Sequence, residues 1–456
     1  MMNTKLFAAG AGLLAGVLVS CPASAMQSPD SIPSDSGSSV RSLWSRSPDE
    51  SGLTINSGKR YNRVEGLPVL VGPIYRDSGD NVTTRVAVFG LIRSAHEFHW
   101  DSENLGHLAT AGFRFGRERK LGLDLASYDI VEGTESWQLS EPEAGLAAFF
   151  LHRDYNDYFG RHGGSIAGSL GLGARSRVQL ELRDERWSTR GVRDVFTVFR
   201  NGDSWRDNPQ MDDGRVHVGA LNVSVDTRND SWAPLFGWYI IATYETARGR
   251  FDSFGPASPT ARMPSPGPIS YGRAFLDVRR YNRISPSDQF NMRLVLGGWL
   301  HGDELPLQRR LSVGGVGTIP GFDFRRRVAG TDKAECGEFP VLPGNPAQCE
   351  RVALLQLEYR SSLGQRTFEP VNLGRYHGRL VLRPTIVVFA DAGRGWLVGE
   401  KAGDLQYPSG SMPGLSTFMT DVGIGFDVGF AGLYVAKAVS LAKEPANVFL
   451  RIRLRF

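Results

Sequence analysis

The sequence is poor in long apolar runs. After residue 25 no uninterrupted apolar stretch reaches the ~18 residues of a membrane-spanning helix, so helical spans are excluded. Hydrophobic residues make up 41% of the chain, below the roughly 45–50% of globular proteins, which still suits strands that are apolar on one face only. The formal net charge of +4 over 456 residues is too small, and the cations too dispersed, for a nucleic-acid binder. Three catalytic or phosphate-binding signatures are missing: G-x-S-x-G, H-E-x-x-H and a P-loop lysine. His96-Glu97-Phe98-His99 is one residue short of helical zinc spacing, and its histidines would face opposite sides of a strand. Asp124, Asp129, Asp154 and Asp157 read as lumen or loop charges rather than acid–base pairs. Nothing therefore calls for a metal, a cofactor or an enzymatic reaction.

What is present begins with an export segment over 1–25, with Lys5 as its basic start, Leu6 to Val19 as apolar core and Ala23-Ser24-Ala25 as cleavage site. Leu18-Val19-Ser20-Cys21 offers the alternative of a lipid-modified cysteine. Cys336 and Cys349 remain, and an exported chain would oxidise them to a disulfide; two free thiols are the alternative. Residues 26–60, rich in Ser, Pro, Asp and Gly, read as a flexible leader.

From residue 61 to 456 the pattern changes to segments of about ten residues with alternating polarity, separated by turn residues. The last, Asn447 to Phe456, puts Val448, Leu450, Ile452, Leu454 and Phe456 on one face and Arg451, Arg453 and Arg455 on the other. The segment Arg177 to Trp187 alternates Val178, Leu180 and Leu182 with Gln179, Glu181 and Arg183. Counting Asn62 to Gly72 as the first strand and Gly145 to His152 as the fifth gives about sixteen, an even number that suits an antiparallel transmembrane β-barrel. Connections alternate between long and short from the fifth strand onward, but Ala95 to His107 breaks the parity early in the chain. The first strand carries Gly66, Pro68 and Gly72, which weaken pairing, so the expected weak line is the seam between Gly66 and Pro68 on one side and Phe456 on the other. The alternative is that Pro68 marks that strand's true beginning.

One connection holds Leu311 to Arg327, L-S-V-G-G-V-G-T-I-P-G-F-D-F-R-R-R, with Gly314, Gly315, Gly317, Pro320, Gly321 and Phe322 able to turn tightly and approach another surface. With Leu357-Glu358-Tyr359-Arg360, Phe389-Ala390-Asp391-Ala392-Gly393 and the terminal Phe456, it resembles the BamA/TamA-type outer-membrane assembly and two-partner-secretion barrels, the bacterial surface antigen family. The resemblance implies a 16-stranded antiparallel barrel with long extracellular loops, sitting in the outer membrane of a Gram-negative cell with both termini periplasmic. It also implies a loop arginine that meets a lumen glutamate and aspartate. Glu358 and Asp391 match those partners, but Pro320 stands at the arginine's place, which leaves Arg325, Arg326 or Arg327 as candidate cations. With only the short leader before the barrel, the chain resembles family members without POTRA domains.

The implied function is insertion, assembly or translocation of proteins through a lateral seam between first and last strands, without a cofactor, with outer-membrane lipids and unfolded protein clients as partners. A passive pore or structural surface protein is the alternative, and a barrel lipase or protease a third.

Overall fold

The computed structural model describes the chain from residue 51 onward, apart from 58–60, 96–100, 102, 119, 254–265, 325–348, 365, 374–375, 399–406, 430, 442–443 and 453–454. A single antiparallel sheet of 16 strands dominates it. In chain order its strands are β1 (Gly52–Ser57), β2 (Pro68–Ser78), β3 (Val82–Arg93), β4 (Leu105–Phe115), β5 (Leu121–Gly133), β6 (Tyr158–Gly171), β7 (Arg177–Thr189), β8 (Asp213–Asp226), β9 (Gly237–Ser253), β10 (Gly267–Arg283), β11 (Asp288–Gly302), β12 (Arg351–Ser362), β15 (Thr385–Trp396), β16 (Met419–Asp427), β17 (Gly432–Ala438) and β18 (Asn447–Arg451). A separate hairpin, β13 (Arg366–Leu373) with β14 (Tyr376–Leu382), is inserted between β12 and β15. Helix α1 (Glu141–Leu151) lies between β5 and β6. Each strand of this sheet pairs with the sheet strands before and after it, β12 with β15 across the hairpin, and β1 and β18 each leave one edge unpaired among the described residues.

Alternation along the strands sorts the side chains as a membrane wall requires. On β7, Leu180 and Leu182 are 58% and 56% exposed, whereas Glu181 and Arg183 are buried at 5% and 3%. The same inversion, apolar outward and charged inward, holds at Ile386 and Val388 against Asp391, and at Val448 and Leu450 against Arg451. A water-soluble sheet would bury its leucines; only a lipid-facing wall leaves such a belt uncovered while filling its interior with ions.

Two sequence expectations fail, and they fail together. Gly145 to His152 is not a strand: Gly145 to Leu151 lie in α1 and His152 caps its end, with Ser140 and Pro142 at the helix start. The sheet opens instead with β1, inside the stretch read as leader, so the sheet reaches back before residue 61. One strand missed and one miscounted leave the total unchanged but shift the first four strands by one place. With β1 restored, connection 94–104 falls at the same end as the long connections 134–157, 190–212 and 303–350, and the parity fault disappears. Pro68 begins β2, which is paired with β1 and with β3, so Gly66 and Pro68 are not at the seam. Phe456 does not close the wall either. The last strand ends at Arg451, and Phe456 is buried with its carbonyl accepting a hydrogen bond of 2.9 Å from the Tyr281 hydroxyl on the inward face of β10.

The lipid-facing assignment carries a direct expectation. Ile424→Arg on the outer face of β16 should cost about 2–4 kcal/mol of unfolding free energy in a bilayer, measured by denaturant titration. A loss within about 0.5 kcal/mol, the usual figure for a water-exposed surface position, would refute it.

Candidate functional site

The barrel interior is occupied by two connections from the long-loop end. The first, 134–151, begins with Glu135, Trp137 and Gln138. The Glu135 carboxylate accepts from the Ser312 backbone N–H at 2.6 Å, and Arg293 of β11 donates to the Trp137 carbonyl at 3.0 Å. The second is the glycine-rich loop. Trp137, Leu311, Val313, Ile319 and Phe322 pack with Phe275, Val295, Val352, Leu354 and Met419 of the wall into one apolar core inside the lumen. Around this core the inward ions are neutralised in clusters: Glu245 on β9 meets Arg183, Arg273 and Arg309 at 2.7, 3.2 and 3.0 Å. Arg309 belongs to the same connection as the glycine-rich loop, so that loop is tied to the wall at both its apolar and its charged faces.

The loop tip latches through its backbone. Thr318 O accepts from the Gln356 amide of β12 at 2.7 Å, Pro320 O accepts from the Asn447 amide of β18 at 3.1 Å, and Gly321 N–H donates to the Asp421 carboxylate of β16. Gly321 has to be glycine for this approach, since a Cβ there would lie 2.6 Å from the Asp421 Cβ and 2.8 Å from the Ala438 nitrogen. Gly314 and Gly315 turn the chain at φ +109° and +98°, values that favour glycine. Gly317 runs against the Gln138 carbonyl, so the two inserted connections brace each other.

Among the described residues, no loop side chain pairs with Glu358 or Asp391. Glu358 accepts from Asn291 at 3.1 Å and pairs with Arg360 at 3.3 Å, both on the wall. Asp391 stands directly opposite Asp421 across the β15–β16 ladder, and the cation shared by this region is Arg455. The Arg455 guanidinium pairs with Asp391 and lies 3.6 Å from the Phe389 ring centroid. This arginine comes from the carboxyl-terminal tail. Arg325, Arg326 and Arg327 lie outside the described residues, as do Cys336 and the histidines His96 and His99; Cys349 is disulfide-bonded.

Helix α1 completes the arrangement. Glu143 accepts from Arg451 at 2.7 and 3.2 Å and from the Ile452 backbone N–H at 2.9 Å. Burial pushes the Glu143 carboxyl up, but Arg451 and the Ile452 N–H outweigh it and hold the group below its ordinary value. A carboxylate on an inserted helix thus takes the backbone donor just past β18, where a continuing strand would have paired. Of the scattered aspartates, Asp154 and Asp157 bind the buried Arg63 at 3.3 and 3.1 Å, and Asp129 and Asp124 pair with Arg93 and Arg114. Among the described residues no cluster of His, Cys, Asp or Glu could hold a metal ion.

Alternation alone did not reveal Asn447, Asp421, Gln356 and Glu143 as parts of the site. One signal was present: Ser140-Glu141-Pro142-Glu143 has the spacing of a helix start.

No family model and no curated protein matches the chain. Similar solved structures include BamA from Haemophilus ducreyi lacking POTRA domains 1–3, with TM-score 0.48 and 11% identity over 88% of this chain and 75% of that one. CdiB from Escherichia coli matches with TM-score 0.36 and 12% identity over 90% and 68%, and CdiB from Acinetobacter baumannii with 0.34 and 12% over 88% and 59%. At such values no residue role passes from them to this chain.

Two measurements follow from the geometry. Arg455→Ala should cost about 3–5 kcal/mol by stranding buried Asp391, and Asp391→Asn in the same chain should recover part of it; wild-type stability of Arg455→Ala would contradict the pairing. For Glu143, the lowered value means its contribution is complete above the ordinary 4.5 and is lost as pH falls through the folded value. The gap in thermal unfolding between wild type and Glu143→Gln should stay constant above pH 4.5 and shrink below it. A gap that grows on acidification would reverse the sign.

Proposed function

We propose that the chain is an outer-membrane barrel that handles protein clients through the seam between β1 and β18, in insertion, assembly or translocation. The observation that carries the proposal is that, among the described residues, the outer edges of β1 and β18 stay unpaired in an otherwise continuous ladder. In hydrocarbon an unpaired N–H or C=O costs several kcal/mol, so a lipid-facing edge is a strong acceptor for an extended guest strand. Edge pairing supplies affinity without demanding a sequence, which suits many clients and needs no cofactor and no covalent chemistry. The exposed apolar belt supports the membrane location. The resemblance of Gly314 to Phe322 to the loop of the bacterial surface antigen family points the same way.

The passive-pore reading fits less well. Two connections fill the lumen with an apolar core and with paired ions, and Arg293, Arg183 and Glu245 are almost completely buried within it. A lumen filled in this way by the described residues is less suited to steady conduction than an open one.

Cysteines placed at Ile55 of β1 and Val448 of β18 and oxidised should lock the seam. The expected result is loss of client insertion by the purified barrel in liposomes, reversed by a reductant, with planar-bilayer conductance low in both states. Unchanged insertion with the seam locked would remove the lateral mechanism, and a large steady conductance would favour the pore.

A further inference from the structure

The outer face of β6–β9 departs from the rest of the belt. Going toward the long-loop end, the outward residues change from Ile166 and Leu182 to Asp184, Arg186, Arg215, His217, Arg248 and Arg250. The ladder registers set His162 opposite Arg186, Arg186 opposite Arg215, and Arg215 opposite Arg250, a row of basic side chains on four adjacent strands. One step closer to the apolar belt, His217 stands opposite Arg248 and Asp184. Like charges directly opposite each other destabilise a sheet. Their counterions fall short: Asp184 meets Arg215 at 2.6 Å and His217 at 3.4 Å, and Asp252 meets Arg186 at only 3.7 Å. Asp129 lies 3.7 Å from His162. Arg248 and Arg250 make no ion pair among the described residues.

The same patch is concave. Gly163, Gly164 and Gly219 thin the wall there, and the resulting groove has a volume of about 1070 Å³ bounded by Ile166, Leu182, Arg186, Arg215 and Arg248. A Cβ on Gly219 would meet only the Leu182 and Thr246 side chains, at 3.7 Å. The row of Arg186, Arg215 and Arg250 lies four residues, about 13 Å, beyond Leu182 and Ile166 along the strands, with Asp184, His217 and Arg248 between them, so an apolar stretch leads up to a cationic one in the order of an acyl chain and its headgroup.

The geometry points to a binding site for a phosphorylated lipid of the leaflet at the long-loop end. The phosphate sits in the groove against Arg186, Arg215 and Arg248, with Arg250 beside the groove in the row opposite Arg215, and an acyl chain runs down over Leu182 and Ile166. The arginines supply planar donors that match a phosphate, and the phosphate supplies the negative charge the row lacks. A membrane surface is the occupant the position favours, because these residues continue the lipid-facing wall. The inference rests on the barrel fold alone and is independent of client handling.

The test uses the full-length barrel in detergent micelles with diphosphoryl lipid A as probe, read by native mass spectrometry, with phosphatidylethanolamine and inorganic pyrophosphate as further arms. Heat-modifiable gel mobility checks that each variant is folded. Wild type should bind lipid A in preference to phosphatidylethanolamine. Each arginine removed should weaken binding about fivefold, the equivalent of about 1 kcal/mol per cation at a membrane surface, so Arg248→Gln with Arg250→Gln should lose about 30-fold. Arg280→Gln, beside Trp238 at the short-turn end, should bind as wild type does. Lipid A binding unchanged in the folded double variant, or weakened equally in Arg280→Gln, would overturn the site. Displacement of lipid A by equimolar pyrophosphate would assign the groove to a soluble phosphate and overturn the lipid assignment.

Discussion

The structure depends on one constraint: every backbone donor and acceptor in a membrane wall needs a partner, and the end of β18 finds its partners inside the lumen. Glu143 takes the Arg451 guanidinium and the Ile452 N–H, and the tail beyond continues inward to Asp391 and Tyr281. A strand diverted in this way cannot extend its ladder toward β1. The ladder therefore stops short of β1 because Glu143, inside the barrel, takes the Ile452 N–H that a continuing strand would have paired, while the outer edges of β1 and β18 stay unpaired among the described residues.

This explains why so much of the chain is committed to filling the lumen. The helix that carries Glu143 must be held across the interior, and Trp137, Gln138 and the glycine-rich loop hold it. The loop in turn fastens to β12, β16 and β18 through backbone atoms of Thr318, Pro320 and Gly321. Plug, latch and seam are thus one connected set of contacts. A change at Gly321 would be felt at Asn447, on the strand that borders the opening.

The wall was legible in the sequence because its period is simple. Leu180 and Leu182 face lipid and Glu181 and Arg183 face the lumen, as the alternation required, and the inward placement of Arg451 follows the same rule. The lumen contents were not legible, because inserted segments obey no period set by the membrane. Gly145 to His152 is apolar enough to pass for a strand, yet it is a helix whose burial comes from tertiary packing. β1 is only 6 residues long, and its Leu53 and Ile55 sit in a polar, serine-rich stretch. The terminal aromatic misled for a different reason: alternation says which face a residue takes while the strand lasts, and nothing about where the strand stops.

The central claim concerns hydrogen bonding at two strands, and amide hydrogen exchange in lipid nanodiscs reads it directly. The account expects the amides of β1 and of Val448 to Leu450 to exchange much faster than those of β9 and β10. Protection at β1 and β18 equal to that of β9 and β10 would mean that the seam is zipped, and would contradict it.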